Sequence, residues 1–144
     1  MSKPQTYANH ARFQPLFHFV ASPITALFAI HRTWVAISDP SRAHAGEALF
    51  AVAVACGVFA SRLMALTVQN RVIRLEMRLR LREVLPPALA PRIPELGVRQ
   101  LVALRFASDA ELPGLVERTL KGEFARQSDI KKAITDWQPD HLRA

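Results

Sequence analysis

The chain has 144 residues, a formal net charge of +7 and a hydrophobic fraction of 50%. That length holds one ordinary domain, or two membrane helices with a small water-soluble part. The lone cysteine, Cys56, excludes a disulfide framework or a cysteine-rich metal site within one chain. A strongly basic chain suits either a nucleic-acid binder or a membrane protein with Arg and Lys beside its spans, and the long apolar segments favour the membrane.

The first apolar segment runs from Leu16 to Ile37 and is about 22 residues long, which is enough to cross a bilayer. Pro15 suits a first helical turn, and Pro23 is tolerated inside a membrane helix as a kink. Ala43-His-Ala45 also resembles a signal-peptide cleavage site. It lies too far along the chain for a usual signal of roughly 15–30 residues, so we place a retained first span at about residues 15–37.

The second apolar segment organises the chain. It starts at Glu47 with the nearly unbroken apolar run Ala48–Ala60 and passes, without a stopping proline, into the arginine-rich stretch Gln69–Arg82. One helix of about 38 residues would be about 57 Å long, which exceeds the roughly 30 Å hydrocarbon core. We therefore predict a second span at residues 47–68, and at 69–85 a basic amphipathic helix with Val68, Val72, Leu75 and Leu79 on its apolar face.

The stretch Ser38–Gly46 is rich in helix-breaking residues and predicts a short turn, which requires the two spans to pack antiparallel as a hairpin. Small residues on both spans permit close approach of the helices. Basic residues cluster on the side opposite the turn, so the positive-inside rule places both termini in the cytoplasm. The bases on that side are Lys3, Arg12, Arg62, Arg71, Arg74, Arg78, Arg80 and Arg82.

Residues 86–144 predict a small helical cytoplasmic domain, which makes the whole fold all-α. Ser108-Asp-Ala-Glu111 has the form of a capping box, Gly122 suits a helix end, and Ser128 suits another N-cap. The apolar positions of this region could form one small core: Leu101, Leu104, Phe106, Leu112, Leu115, Val116, Leu120, Phe124, Ile130, Ile134 and Trp137. We place short helices within 88–93, 98–106, 111–120 and 129–137.

Four sequence strings carry a family resemblance: Tyr7-Ala-Asn-His-Ala-Arg-Phe13, the helix Arg71–Arg80, the segment Leu101–Asp109 and the ending Ile130–Asp140. Together they resemble a family of small, uncharacterised bacterial proteins with two predicted membrane spans, over most of the chain. The resemblance implies that architecture and a bacterial inner-membrane location. It implies no activity and no catalytic residue.

His18 and His31 are the candidate cofactor ligands, because intramembrane histidines can bind haem or bacteriochlorophyll or relay protons. They lie thirteen positions apart. At 100° per residue they are rotated by about 220° and point from largely opposite faces of a straight helix. The second span has no histidine, so a bis-histidine haem would need another subunit. Both histidines also lie near the ends of the span, where contact with water or headgroups suffices to explain them, so we expect no cofactor.

Arginines are the candidate contacts for lipid or a partner. In a hairpin Arg62 matches the depth of His18–Phe19, where a long side chain can extend to the headgroups or make a buried contact with His18, Gln14 or another subunit. The helical stripe of Arg71, Arg74, Arg78 and Arg82 would attract anionic lipid at about 1 kcal/mol per residue. An acidic partner or plain solvation explains the stripe as well.

Arg80 lies off this stripe and is placed to pair with Glu76 four residues before it.

The chain contains no sequence constellation that favours an enzyme: it lacks a glycine-rich phosphate loop, an H-E-x-x-H motif and paired carboxylates beside a base. We therefore expect a non-enzymatic accessory or scaffold subunit of a larger membrane complex, such as a respiratory or photosynthetic assembly, without a metal site and without nucleic acid. A cofactor-binding subunit using His18 or His31 is one alternative. A membrane-tethered adaptor for a cytoplasmic partner is another.

Overall fold

The structure, a computed structural model, describes Tyr7 and residues 14–140. Within that part the fold is all-helical apart from one isolated bridge between Ala107 and Trp137. Contacts divide it into two compact units, one ending at Thr67 and one beginning at Val68 that also takes in Tyr7. The helices are α1 (Ser22–Ser38), α2 (Arg42–Val84), α3 (Val98–Leu104), α4 (Leu112–Leu120) and α5 (Gln127–Lys132), with a π-helical segment at Leu16–Ala21 and a 3-10 segment at Ala90–Glu95.

The π-helical segment Leu16–Ala21 stands directly before the proline of α1. The backbone N–H of Ser22 donates to the carbonyl of Phe17, five residues earlier. Pro23 has no N–H, and its ring would crowd the carbonyl four residues before it in a regular α-helix. A wider turn ahead of the proline lets the helix continue past it. The irregularity predicted at Pro23 therefore takes the form of this π turn.

Helix α2 is continuous, as the sequence predicts, but it begins at Arg42 and not at Glu47. The Ser41 hydroxyl accepts the N–H of His44 at 3.1 Å, and the His44 ring is hydrogen-bonded to the carbonyl oxygen of Asp39 at 2.8 Å. These bonds satisfy the first turn of the helix, so residues 42–46 are helical where a turn was expected. Ala43-His-Ala45, the sequence that resembles a cleavage site, lies in this first turn.

The unit that ends at Thr67 buries very little of its apolar surface. Ala29, Ala51 and Ala55 form its buried cluster. Leu16–Ser38 and α2 are each long and apolar enough to cross a membrane, and in both helices only 6% of the most apolar window is buried. Large side chains such as Phe19, Leu27 and Phe50 are exposed.

The unit that begins at Val68 has a compact apolar core. Helix α2 contributes Ile73, Met77 and Leu81, one side chain per turn, and Leu85 directly after the helix continues the row. The other large side chains that are fully buried come from the tail and are Leu101, Leu104, Phe106, Leu112, Val116 and Ile130. The residues that recur at helical intervals in the sequence, Val68, Val72, Leu75 and Leu79, are exposed. The buried row extends to Leu85, beside the Pro86-Pro87 turn, so the returning chain covers that row.

Two helix ends in the tail differ from the sequence prediction. The capping box is wrong: Glu111 occupies the N-cap position of α4 without a side-chain cap, and the Ser108 hydroxyl makes no hydrogen bond among the described residues. Ser128 does not cap α5, because the Asp129 carboxylate accepts the N–H of Arg126 at 2.9 Å and starts the helix at Gln127.

Gly122 does follow the end of α4, as predicted, with a φ of 77° in the left-handed region that glycine adopts without strain.

Helix α5 ends at Lys132 and does not reach Trp137, where the sequence predicted its end. The indole of Trp137 stacks on Phe106 with a centroid distance of 4.5 Å and an interplanar angle of 16°. Beside it, the N–H of Gln138 donates to the carbonyl of Phe106 at 2.7 Å. These contacts require extended backbone around Trp137, which a helix cannot supply.

Candidate functional site

The candidate site is the solvent-facing side of α2 between Val68 and Glu83. Its centre is a row of apolar side chains, which we call the exposed stripe: Val68, Val72, Leu75 and Leu79. Their exposed fractions are 60%, 48%, 61% and 51%. Single exposed apolar residues are ordinary, but a continuous row on one helix face marks an interaction surface.

Charged side chains border the exposed stripe. Arg71, Arg74 and Arg82 are exposed, whereas Arg78 is half-buried. Two carboxylates, Glu76 and Glu83, are exposed as well. Among the described residues, none of these six side chains has a hydrogen-bond or ion-pair partner. The surface therefore offers unengaged charge of both signs.

Arg80 is the exception among the arginines between Val68 and Glu83. Its Nε donates to Asp109 Oδ1 at 2.7 Å, while Nη1 and Nη2 donate to the carbonyls of Arg105 and Ala107 at 3.2 and 2.8 Å. The pairing with Glu76 predicted from their spacing is therefore wrong. Arg80 holds the loop after α3 against α2, and the planar guanidinium suits this work because it donates in several directions at once.

Glu111 makes a second link between distant parts of the tail. Its carboxylate accepts hydrogen bonds from the Thr135 hydroxyl and from the N–H groups of Thr135 and Asp136, both at 3.1 Å. Partial burial raises the pKa of Glu111, but the three donors outweigh it and the pKa lies below its usual value. The carboxylate thus fixes the segment after α5 against the start of α4.

The last described residues are held by Arg105. Its Nε lies 3.1 Å from Asp140 Oδ2, and its guanidinium carbon lies 4.4 Å from the centroid of the Phe106 ring. Lys131 approaches the same ring at 5.4 Å. Two cations therefore approach an aromatic ring that is also stacked on Trp137.

The unit that ends at Thr67 contains the other sequence-predicted site residues. The Arg62 guanidinium lies 5.7 Å from the centroid of Phe17, whose ring meets Phe59 edge-on at 6.1 Å. His18 is half-buried beside Phe17, and its Nδ1 is hydrogen-bonded to the backbone of Gln14 at 3.0 Å. His31 is exposed. Because the π-helical segment contains His18, the rotation of 100° per residue does not apply across the whole interval to His31.

Two grooves lie outside the exposed stripe. One of about 630 Å³ is lined by Phe28, Phe50 and the ion pair of Arg32 with Glu47. Another of about 350 Å³ lies between α3 and α5. Across Tyr7 and residues 14–140, no three His, Cys, Asp or Glu side chains are grouped so that they could hold a metal ion. Lys3 and Arg12 lie outside the described residues.

Replacing Arg80 should loosen the tail. Arg80→Met removes a charge-assisted bond to Asp109 and leaves the carbonyls of Arg105 and Ala107 without their donor, so we expect a loss of about 1–3 kcal/mol in the free energy of unfolding. Urea unfolding in mild detergent, followed by Trp137 fluorescence in a Trp34→Phe background, measures it. Arg74→Met, which removes an exposed arginine from the same helix, should stay within about 0.5 kcal/mol. Equal effects of the two changes would contradict the assigned role of Arg80.

The bonds of Glu111 predict a pH dependence. A carboxylate whose pKa is lowered by folding stabilises the protein above its unfolded-state pKa, about 4.3, and loses that contribution as the pH falls through the folded-state value. The stability difference between the parent protein and Glu111→Gln should therefore be constant from about pH 7 to pH 5 and shrink below about pH 4. Glu123→Gln, which removes an exposed carboxylate paired with the exposed Arg118, should show a much smaller change. A constant difference for Glu111→Gln down to pH 3 would be inconsistent with this account.

Comparison with known proteins identifies a family but no activity. A family model matches residues 1–144, and its description is a family of unknown function, DUF6526. No curated protein and no solved structure matches the chain.

Proposed function

The chain belongs to this family of unknown function, and we propose that it is a non-enzymatic accessory or scaffold subunit of a larger bacterial membrane complex. Its first unit is a two-span antiparallel hairpin in the inner membrane. Its second unit is a small helical domain in the cytoplasm, together with both termini. A respiratory or photosynthetic assembly is the kind of complex that such a subunit would serve.

The observation that carries the proposal is the uncovered apolar surface of the two long helices. The apolar core helix of a soluble protein is mostly buried by its own chain, whereas here 6% of each apolar window is buried. Soluble monomers rarely expose apolar patches of more than a few hundred Å². Lipid, or the spans of neighbouring subunits, accounts for this exposure directly. Both helices also satisfy their backbone hydrogen bonds internally, which a bilayer requires.

Contacts within the first unit support the antiparallel arrangement. Phe17 meets Phe59, Ala29 is buried together with Ala51 and Ala55, and Arg32 pairs with Glu47. As the position on the first helix advances along the chain, the position on the second moves back. The three alanines allow close approach, which is how membrane helices associate without a hydrophobic driving force between them.

The distribution of charge supports the orientation. Near the link between the helices the chain carries two arginines, Arg32 and Arg42. Six arginines lie on the other side of the spans, from Arg62 to Arg82, so the positive-inside rule assigns that side to the cytoplasm. There Arg71, Arg74, Arg78 and Arg82 can contact anionic headgroups or another protein.

The chemistry of the cytoplasmic domain supports a structural role. Its strongest polar groups, Arg80, Arg105 and Glu111, are engaged in holding loops together. Because these side chains hold the loops in place, the domain keeps a fixed surface that another protein can bind. A scaffold subunit needs such a surface, whereas an enzyme needs acids, bases and nucleophiles open to a substrate.

The proposed topology predicts which residues react from each side of the membrane. In a Cys56→Ala background, the cysteine of Ala45→Cys, in the first turn of α2, should react with a membrane-impermeant maleimide in intact spheroplasts. That of Ala125→Cys, on the exposed surface of the tail, should react only after permeabilisation. Both proteins should stay with the membrane after carbonate extraction. Labelling of Ala125→Cys in intact spheroplasts, or release by carbonate, would overturn the topology.

The accessory role predicts stoichiometric partners. After purification from the native host in mild detergent, native electrophoresis should give a band much heavier than a few copies of this 16.1 kDa chain. Mass spectrometry of that band should identify other membrane subunits in fixed ratio to it. A band that contains only copies of this chain would refute the accessory role and leave the topology intact.

A further inference from the structure

The exposed stripe has the spacing of a coiled-coil seam. Val68, Val72, Leu75 and Leu79 follow one another at intervals of four, three and four residues, which is the heptad pattern. At 100° per residue the four side chains fall within an arc of about 60°, and Met77, in the middle of the buried row, lies about 180° from Val68. The stripe is therefore on the side of α2 that faces away from the core of its own unit.

Val72 and Leu79 occupy position a of the seam, and Val68 and Leu75 occupy position d. Val72 at a with Leu75 at d is the pairing typical of two strands, whereas Leu79 at a and Val68 at d are the reverse, so the seam residues alone do not set the number of helices. Because α2 is already ordered by its own core, association costs no helix formation.

The charges beside the seam select the partner and its direction. In this register Arg71 and Arg78 occupy position g, and Glu76 and Glu83 occupy position e. In a parallel pair each g residue faces the e residue five positions later on the other helix, so Arg71 meets the partner's Glu76 and Arg78 meets the partner's Glu83. In an antiparallel pair g faces g and e faces e, which sets arginine against arginine and glutamate against glutamate.

We propose that two copies of this chain associate in parallel through the exposed stripe as a short two-stranded coiled coil. A two-fold axis makes the interface self-complementary, with each Arg71–Glu76 contact formed twice. Within the described residues, neither Arg71 nor Glu76 has an ion-pair partner in its own chain, so both are available to a second copy. An anionic lipid surface fits less well, because it would repel Glu76 and Glu83 on the other side of the same stripe.

Cysteine cross-linking tests the seam. In a Cys56→Ala background, Val72→Cys and Leu75→Cys place thiols where identical positions face each other, within the roughly 4.4–6.8 Å between Cα atoms that a disulfide spans. Mild oxidation of the full-length protein in its membrane should give covalent dimers of both variants. Arg74→Cys, an exposed neighbour that lies off the seam, should stay monomeric. Equal cross-linking at all three positions, or none at 72 and 75, would overturn the proposal.

Charge exchange tests the partner. Arg71→Glu alone sets carboxylates against Glu76 of the second copy, and Glu76→Arg alone sets arginines against Arg71. Each variant, carrying Val72→Cys and a distinct tag, should form homodimers about tenfold less well than the parent. Co-expressed, the two variants should form the mixed dimer at the parental level, since attraction is restored at both contacts. If mixed dimers are no more abundant than the homodimers of the single variants, another protein or lipid covers the exposed stripe and the proposal is wrong.

This inference uses only the unit that begins at Val68. A negative topology experiment would therefore leave it standing, and a failure of the exchange experiment would leave the membrane hairpin standing.

Discussion

The structure depends on one long helix, α2, whose side chains are buried by different parts of the chain along its length. Ala51 and Ala55 of α2 are buried in the first unit, and the row from Ile73 to Leu85 is buried in the second. The hydrogen bonds of a helix are internal, so its backbone tolerates lipid, protein or water in turn. Only the side chains have to change with the surroundings. They do so where the continuous apolar run gives way to apolar residues once per turn.

Polar cross-links then fix the small domain onto the last turns of that helix. Arg80 reaches the loop after α3, and Glu111 reaches the segment after α5. A short tail of three small helices buries too little surface to define its loops by apolar contact alone. Arg80 and Glu111 each form several hydrogen bonds at once, and these bonds hold the loops in place. The apolar core supplies most of the stability of the domain, and Arg80 and Glu111 fix the positions of its loops.

The sequence predicts the parts of the fold that depend on local pattern. The two long helices, their apolar composition and the end of α4 at Gly122 follow from runs, spacing and the backbone preference of glycine. The start of α2 did not follow, because Ser41 and His44 extend the helix into a stretch whose composition suggests a turn. The Ser108–Glu111 motif failed for a related reason: Glu111 finds better donors at Thr135 and Asp136, 24 and 25 residues away in sequence.

The two apolar rows of α2 show the limit of periodicity most clearly. Ile73, Met77 and Leu81 form one row, Val72, Leu75 and Leu79 form another, and a helical period detects both. Which row is buried depends on where Phe106 and Leu112 come to lie, and that depends on the whole tail. The shared helix face of Arg71, Arg74, Arg78 and Arg82 follows from their spacing. The bond from Arg80 to Asp109 depends on the fold of the tail, so spacing could not predict it.

The ion pair between Arg32 and Glu47 also bears on how the protein is made. In the proposed topology, the segment from Arg32 to Glu47 must cross the bilayer during biogenesis. It contains two arginines, Arg32 and Arg42, and two acids, Asp39 and Glu47, so its formal charge is zero with neutral histidines. Carrying an unpaired charge through hydrocarbon is costly, and a segment that closes its own ion pair reduces that barrier. The same pair that joins the two helices thus favours insertion of the hairpin as one unit.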